Sequence, residues 1–256
     1  MGSALLQGIL ARELCRAEDV IVRDAEPAAM DALRAALPGL RVASLNREVA
    51  EAADVVLLCV KPADVSPLLQ ELTPVKNTPL FISIAAGLTL AALERAAGPR
   101  HRFVRVMPNT PALIGQAASA YALGTRATPD DGALTERLLG AVGTVSLVPE
   151  KLLDAVTGLS GSGPAYLFLV AEAMVEAGVL NGLSRDVSVE LASQTLLGAG
   201  RLLVESGQSA AELRANVTSP GGTTAAGLRV LEQRAVRAAV LDAVSAATER
   251  SRELGR

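Results

Sequence analysis

Asp54-Val-Val-Leu-Leu-Cys-Val60-Lys61-Pro62 and Leu80-Phe-Ile-Ser-Ile84-Ala85-Ala86-Gly87 decide the fold. Each is a short apolar run that stops at Lys-Pro or at a cluster of small residues. Such runs, bounded by breakers and rich in branched side chains, read as buried strands. Between them, Val65 to Leu72 has a helical pattern. Upstream, Asp19-Val-Ile-Val22 reads as a strand ending at Arg23-Asp24, Pro27 to Leu37 as a helix, Arg41-Val42-Ala43 as a short strand, and Asn46 to Ala53 as a helix. Downstream, Leu90 to Ala97 is helical and His101 to Val106 is a strand stopped by Met107-Pro108, with later strands at Gln116 to Ala122 and Val145 to Val148. At the start, Leu6, Ile9, Leu10 and Leu14 share one helical face. Alternation of this kind predicts an α/β domain over residues 1–149, built from βα units on a parallel sheet.

The pattern changes near Pro149. From there to residue 256 the sequence offers no strand. Helical periods cover Lys151 to Thr157, Ala165 to Ala177, Ser184 to Ser206, Ala210 to Asn216, Thr224 to Leu231 and Val236 to Leu254. Residues 150–256 therefore read as an all-α domain. Its helices have wide apolar faces broken by glycines, and such faces point to burial against a second copy of the chain.

Half of the 256 residues are hydrophobic but only 2% are aromatic, so the core must be aliphatic. Lys and Arg number 24 against 27 Asp and Glu, without blocks of one sign, which argues against nucleic acid as a partner. No apolar run reaches the ~18 residues of a membrane span. Two cysteines, Cys15 and Cys59, make no disulfide framework. Cys59 lies inside an apolar run, where a thiol acts as a small hydrophobe. A soluble cytoplasmic protein is the expected setting.

In a doubly wound sheet, ligands bind beyond the carboxyl ends of the strands. Four such ends carry suggestive residues: Arg23-Asp24, Val60-Lys61-Pro62, Ala85-Ala86-Gly87 and Met107-Pro108-Asn109-Thr110-Pro111. Small residues at Ala85 to Gly87 would admit a flat ligand. In the second half, Ser219-Pro-Gly-Gly-Thr-Thr224 places two glycines before a helix start. Free amides there suit a carboxylate or phosphate, with the Thr223 and Thr224 hydroxyls alongside. The same stretch also reads as an ordinary loop and capped helix. Ser160-Gly-Ser-Gly-Pro-Ala-Tyr166 is a second glycine-rich helix start, or a hinge between the halves. The single histidine, His101, has no accompanying ligand spacing, so no metal site is expected. From residue 152 onward there is no Lys, His or Cys. An enzyme so poor in nucleophiles and bases would rely on a cofactor, and hydride transfer fits.

At this point the residues resemble the pyrroline-5-carboxylate reductase family. The resemblance rests on Val60-Lys61-Pro62, Ser83-Ile84-Ala85-Ala86-Gly87, Arg105-Val106-Met107-Pro108-Asn109-Thr110-Pro111, Gly158 to Tyr166 and Val217 to Thr224, which occur in family order along essentially the whole chain. It implies a Rossmann-like domain, an all-helical domain that dimerises, sometimes within larger homo-oligomers, and reduction of the cyclic imine of 1-pyrroline-5-carboxylate to L-proline by NADPH or NADH. By position, it implies that Gly2, Ser3, Asn46, Val60, Lys61, Pro62, Ala85, Ala86 and Gly87 contact the cofactor. It places Asn216, Gly222, Thr223 and Thr224 at the substrate, with Thr224 as the catalytic hydroxyl beside the ring nitrogen.

One feature departs from the family pattern. The family's first strand and the first two glycines of its phosphate loop find no counterpart, and Gly2 matches the third glycine. The expectation is a Rossmann-like sheet truncated at its first, central strand, with neighbouring strand edges exposed. Asp24 favours the ribose hydroxyl of NAD while Arg23 favours the phosphate of NADP, so cofactor choice stays open. Two rivals remain: a β-hydroxyacid-reducing or imine-reducing relative, against which the absence of any lysine after Lys151 argues, and a non-catalytic or impaired nucleotide-binding relative.

Overall fold

The computed structural model describes residues 1–72 and 74–255. The chain begins with helix α1 (Gly2–Ala11), strand β1 (Ile21–Val22), α2 (Pro27–Ala36), β2 (Arg41–Val42), α3 (Asn46–Ala52), β3 (Val55–Leu58), α4 (Pro62–Leu72), β4 (Leu80–Ser83), α5 (Leu90–Ala97) and β5 (Arg102–Met107). After β6 (Ala117–Leu123), α6 (Pro129–Leu139), β7 (Gly143–Leu147) and α7 (Leu153–Val156) come α8 (Gly163–Leu180), α9 (Arg185–Glu205), α10 (Ala210–Asn216), α11 (Thr223–Gln233) and α12 (Val236–Leu254). Among the described residues no strand follows β7, as the sequence pattern implies. Two compact units result: Met1–Ser162 with the residues from Ser245 onward, and Gly163–Val244.

In the first unit, five strands form one sheet in the order β3-β4-β5-β6-β7. Helices cover both of its faces, which explains why the runs at 55–58 and 80–83 are apolar without alternation. Leu80 and Ile82 of β4 face Leu5, Leu139 and Val142, whereas Phe81 faces Leu69, Leu93 and Phe103. The sheet is not wholly parallel. β3-β4-β5 and β6-β7 run parallel, but β5 and β6 are antiparallel. Residues 108–116 are too few for the crossover that a parallel pair needs, so the chain folds straight back.

The sheet is also divided. β1 and β2 pair only with each other, in a separate parallel ladder, and β3 pairs only with β4. The strand edges expected to be exposed are thus open on β1 and β3 among the described residues. Helix α1 buries Ala4, Leu5, Leu6 and Ile9, while Leu14 lies beyond its end. No clear apolar period marks α6 in the sequence, yet Thr128 and Asp131 form a capping box there: Asp131 N donates to Thr128 Oγ1 at 3.3 Å and Thr128 N to Asp131 Oδ2 at 2.8 Å.

The second unit is helical, and its apolar side chains are left outside. α8 buries no residue, and Leu167, Phe168, Leu169, Val170 and Met174 are all exposed. The helical stretch Glu150–Leu180 is apolar enough to cross a membrane by length and composition only.

His101 is buried just before β5, edge-on to Phe81 with ring centroids 5.3 Å apart. Desolvation, helped by the Arg100 charge, holds its imidazole below the ordinary 6.5. Because the folded value is depressed, the unfolded chain binds the extra proton first. Stability is therefore expected to be full above about pH 6.5 and to fall as the pH drops below it. Urea midpoints measured across this range check it, and His101→Leu should flatten the curve.

Candidate functional site

The carboxyl ends of β3, β4 and β5 lie side by side. Leu58 pairs with Ser83, and Ser83 with Arg105, while Ile84 N donates to Leu58 O at 3.2 Å. Beyond β3 come Cys59, Val60 and Lys61, all exposed, and then Pro62 opens α4. Helix α1 starts at the same edge. A Cβ added to Gly2 would lie 2.9 Å from the Cβ of Cys59 and 3.2 Å from its sulfur, so a glycine is what lets the helix begin this close to the end of β3. No side chain caps α1.

Cys59 corrects an expectation. β3 stops at Leu58, and Cys59 is exposed at the strand end rather than buried within it. Desolvation of its sulfur nevertheless pushes the thiol up to about 11, against the opposing pull of the chain's α-amino group.

The loop after β4 carries Ala85, buried, Ala86, exposed, and Gly87, buried at φ +77°. Of the three, only Ala86 is exposed. Asn46 opens α3, half-buried, and donates to Glu71 Oε2 at 3.0 Å. At the end of β1, Arg23 Nε donates to Ser44 O at 3.1 Å, and Asp24 Oδ1 accepts from Glu26 N at 2.9 Å. After β5, Asn109 is buried and satisfied at both ends, accepting from Ala118 N at 2.9 Å and donating to Ser160 O at 3.1 Å. That second bond reaches a π-helical turn, Thr157–Gly161, within the glycine-rich segment. Cavities of about 540 Å³ lie beside His101 and beside Cys15. Neither is lined by any of these strand-end residues.

Gly2, Ser3, Asn46, Val60, Lys61, Pro62 and Ala85 to Gly87 all belong to the first unit, whereas Asn216, Gly222, Thr223 and Thr224 belong to the second. There α10 ends at Asn216, whose amide donates to Gln208 Oε1 at 3.0 Å. The chain turns through Gly221 at φ +71° and enters α11 with Gly222 as N-cap. Thr89, Thr128, Ser184 and Ser209 cap α5, α6, α9 and α10 with their side chains, but no side chain caps α11, as none caps α1, α2 or α3. Its first amides, at Thr223 and Thr224, are therefore free for an external anion. Thr224 is half-buried and Thr223 exposed.

Sequence reasoning misses one polar group that shapes the edge. Arg105 is buried on β5, with Nη1 3.1 Å from Glu150 Oε1 and Nη2 3.9 Å from Asp154 Oδ1. An arginine inside Phe103-Val104-Arg105-Val106 is the available signal. Among the described residues, no group of three or more His, Cys, Asp or Glu side chains could hold a metal ion.

Comparison with known proteins matches two parts of the chain to family models. Residues 150–254 match the model for pyrroline-5-carboxylate reductase dimerisation, and residues 1–87 the model for NADP oxidoreductase, coenzyme F420-dependent. The chain is 44% identical over its full length to the pyrroline-5-carboxylate reductase of Methanosarcina acetivorans, covering 95% of it. The Arabidopsis thaliana enzyme is 48% identical over 84% of this chain and 78% of its own length. This chain belongs to the pyrroline-5-carboxylate reductase family. Among solved structures, the family member from Coxiella burnetii superposes with a TM-score of 0.92 at 35% identity, covering 99% of this chain and 94% of that one. The Plasmodium falciparum member, solved with NADP bound, gives 0.87 at 34% identity, covering 100% and 95%. Family membership accounts for the exposed face of α8, because that helix lies inside the matched dimerisation region rather than in a membrane anchor.

Asn109→Ala is expected to leave the Ala118 amide and the Ser160 carbonyl without partners. A loss of about 2 kcal/mol in urea unfolding is the expected outcome.

Proposed function

We propose that the protein reduces 1-pyrroline-5-carboxylate to L-proline, the last step of proline synthesis, as an NAD(P)H-dependent homodimer or larger homo-oligomer. The single observation that carries the reading is the uncapped N-terminus of α11, where Thr224 stands beside free amides. The residues at the strand ends fit a nicotinamide dinucleotide. Gly2 brings the start of α1 against the end of β3, and Ala85 to Gly87 keep the neighbouring loop low. When bound, that cofactor supplies the hydride for the imine carbon.

The chain's own residues do the rest. In this reading, amides of α11 around Gly222 to Thr224 hold the substrate carboxylate, and the helix N-terminus favours its charge. The Thr224 hydroxyl donates to the ring nitrogen; as the hydride reaches the carbon and the C=N π pair moves to nitrogen, that nitrogen takes a proton through the hydroxyl, which is replenished from solvent. Asn216 shapes the wall of the pocket. The substrate arrives already as an imine, so no enzyme nucleophile is required, which suits a helical domain with no Lys, His or Cys after Lys151. No lysine follows Lys151, which argues against a β-hydroxyacid-reducing relative, and the full-length reductase relatives do not favour a non-catalytic protein. At the phosphate end, Gly2, Ser3, Lys61 and the backbone from Val60 to Pro62 take the dinucleotide, with Asn46 at the neighbouring helix start. We further propose residues 1–149 as the dinucleotide domain and 150–256 as the substrate and dimerisation domain. A cytoplasmic location agrees with two cysteines that form no disulfide.

Thr224→Ala is expected to lower kcat/KM for the imine about 100-fold, measured as imine-dependent NADPH oxidation. Thr224→Ser should recover most of it. Equal activity in all three proteins would count against this role.

A further inference from the structure

The loop after β4 is held from an unexpected direction. Gly87 sits at φ +77°, a conformation that side-chain-bearing residues rarely adopt. The space beside it is closed by the end of α12. A Cβ at position 87 would meet the Leu254 carbonyl oxygen at 3.3 Å and the Leu254 Cβ at 3.4 Å. The approach is tight from the other side as well, since a Cβ on Gly255 would lie 2.9 Å from the Gly87 carbonyl oxygen. Two glycines far apart in the sequence thus pack closely against each other, with the tighter approach at Gly255.

The last turn of α12 is itself anchored. Ser251 is buried, and its Oγ donates to Asp154 Oδ1 at 2.7 Å. Asp154 and Glu150 both face the buried Arg105. Glu150 Oε1 in turn accepts from Leu90 N at 2.6 Å, where α5 begins. The segment from Gly87 to Leu90 is therefore fixed twice by one connected set of groups: at Gly87 by the end of α12, and at Leu90 by Glu150.

We propose that the last turn of α12 is a clamp that sets the conformation of the Ala85–Gly87 loop for the dinucleotide, with Ser251 and Gly255 as positioning residues. This rests on the reading of Ala85 to Gly87 as part of the cofactor edge. A loop ordered before binding does not lose that freedom on binding, so the clamp acts on dinucleotide affinity rather than on the reducing step.

The test uses the full chain and the variants Ser251→Ala, which releases the anchor, and Gly255→Val, which presses on the Gly87 carbonyl. Two readouts are followed: NADPH titration, and amide hydrogen exchange at Gly87 to Leu90 without ligand. Both variants should bind NADPH roughly fivefold more weakly and exchange these amides faster. At saturating NADPH, kcat and the KM for the imine should stay within about twofold of wild type, and Ser251→Thr should restore binding. Wild-type affinity and exchange in both variants would overturn the clamp while leaving the reductase reading intact. A fall in kcat with unchanged NADPH affinity would overturn it too. A wild-type chain that binds no NADPH would remove the cofactor reading and the clamp together.

Discussion

A guanidinium almost without solvent must be paired, and that need organises the first unit around Arg105. Removing one partner of such a buried ion pair costs about 3 to 5 kcal/mol, because the other charge is stranded. Arg105 draws Glu150 and Asp154 to the face of the sheet opposite α1. Glu150 then receives the first amide of α5, and Asp154 receives Ser251 of α12. One charge on a central strand so sets the start of α5, the position of α7 and the end of α12. All three border the strand ends where the candidate cofactor residues gather.

Much of this fold is legible in the sequence, for physical reasons. The runs at 55–58 and 80–83 are apolar on both faces because helices cover both, and they announce themselves. Helices α5, α10 and α12 appear at their expected positions because their apolar periods are clean and capping residues or glycines bound them. α6 escapes because Asp130, Asp131 and Gly132 dilute its apolar face, although Thr128 marks its start. The reversal of β6 is invisible in side-chain pattern, which records which face a residue occupies and not which way its strand runs. Only the short connection of residues 108–116 carries that information. Cys59 misleads because an apolar neighbourhood in sequence continues past the end of the strand.

The candidate site shows the same division. Its strand-end words and the Gly222-Thr223-Thr224 helix start are local features, so spacing reveals them. Arg105 and Glu150 are 45 residues apart, and Asp154 and Ser251 are 97 apart. Such pairings depend on the tertiary fold, and no local pattern encodes them. The second unit carries a different message: helices with apolar residues outside are stable only when covered. Membership in a family with a dedicated dimerisation region explains that surface and why the sequence spends so many leucines and valines on it.

The central claim is that a cyclic imine receives a hydride while this chain supplies only positioning and a hydroxyl. The most direct measurement follows deuterium from NADPH labelled at the reactive ring carbon into the product, by mass spectrometry and NMR. The account predicts proline carrying one deuterium, on the former imine carbon, in a single stereochemical configuration. Unlabelled proline, or label distributed between both faces of that carbon, would contradict it.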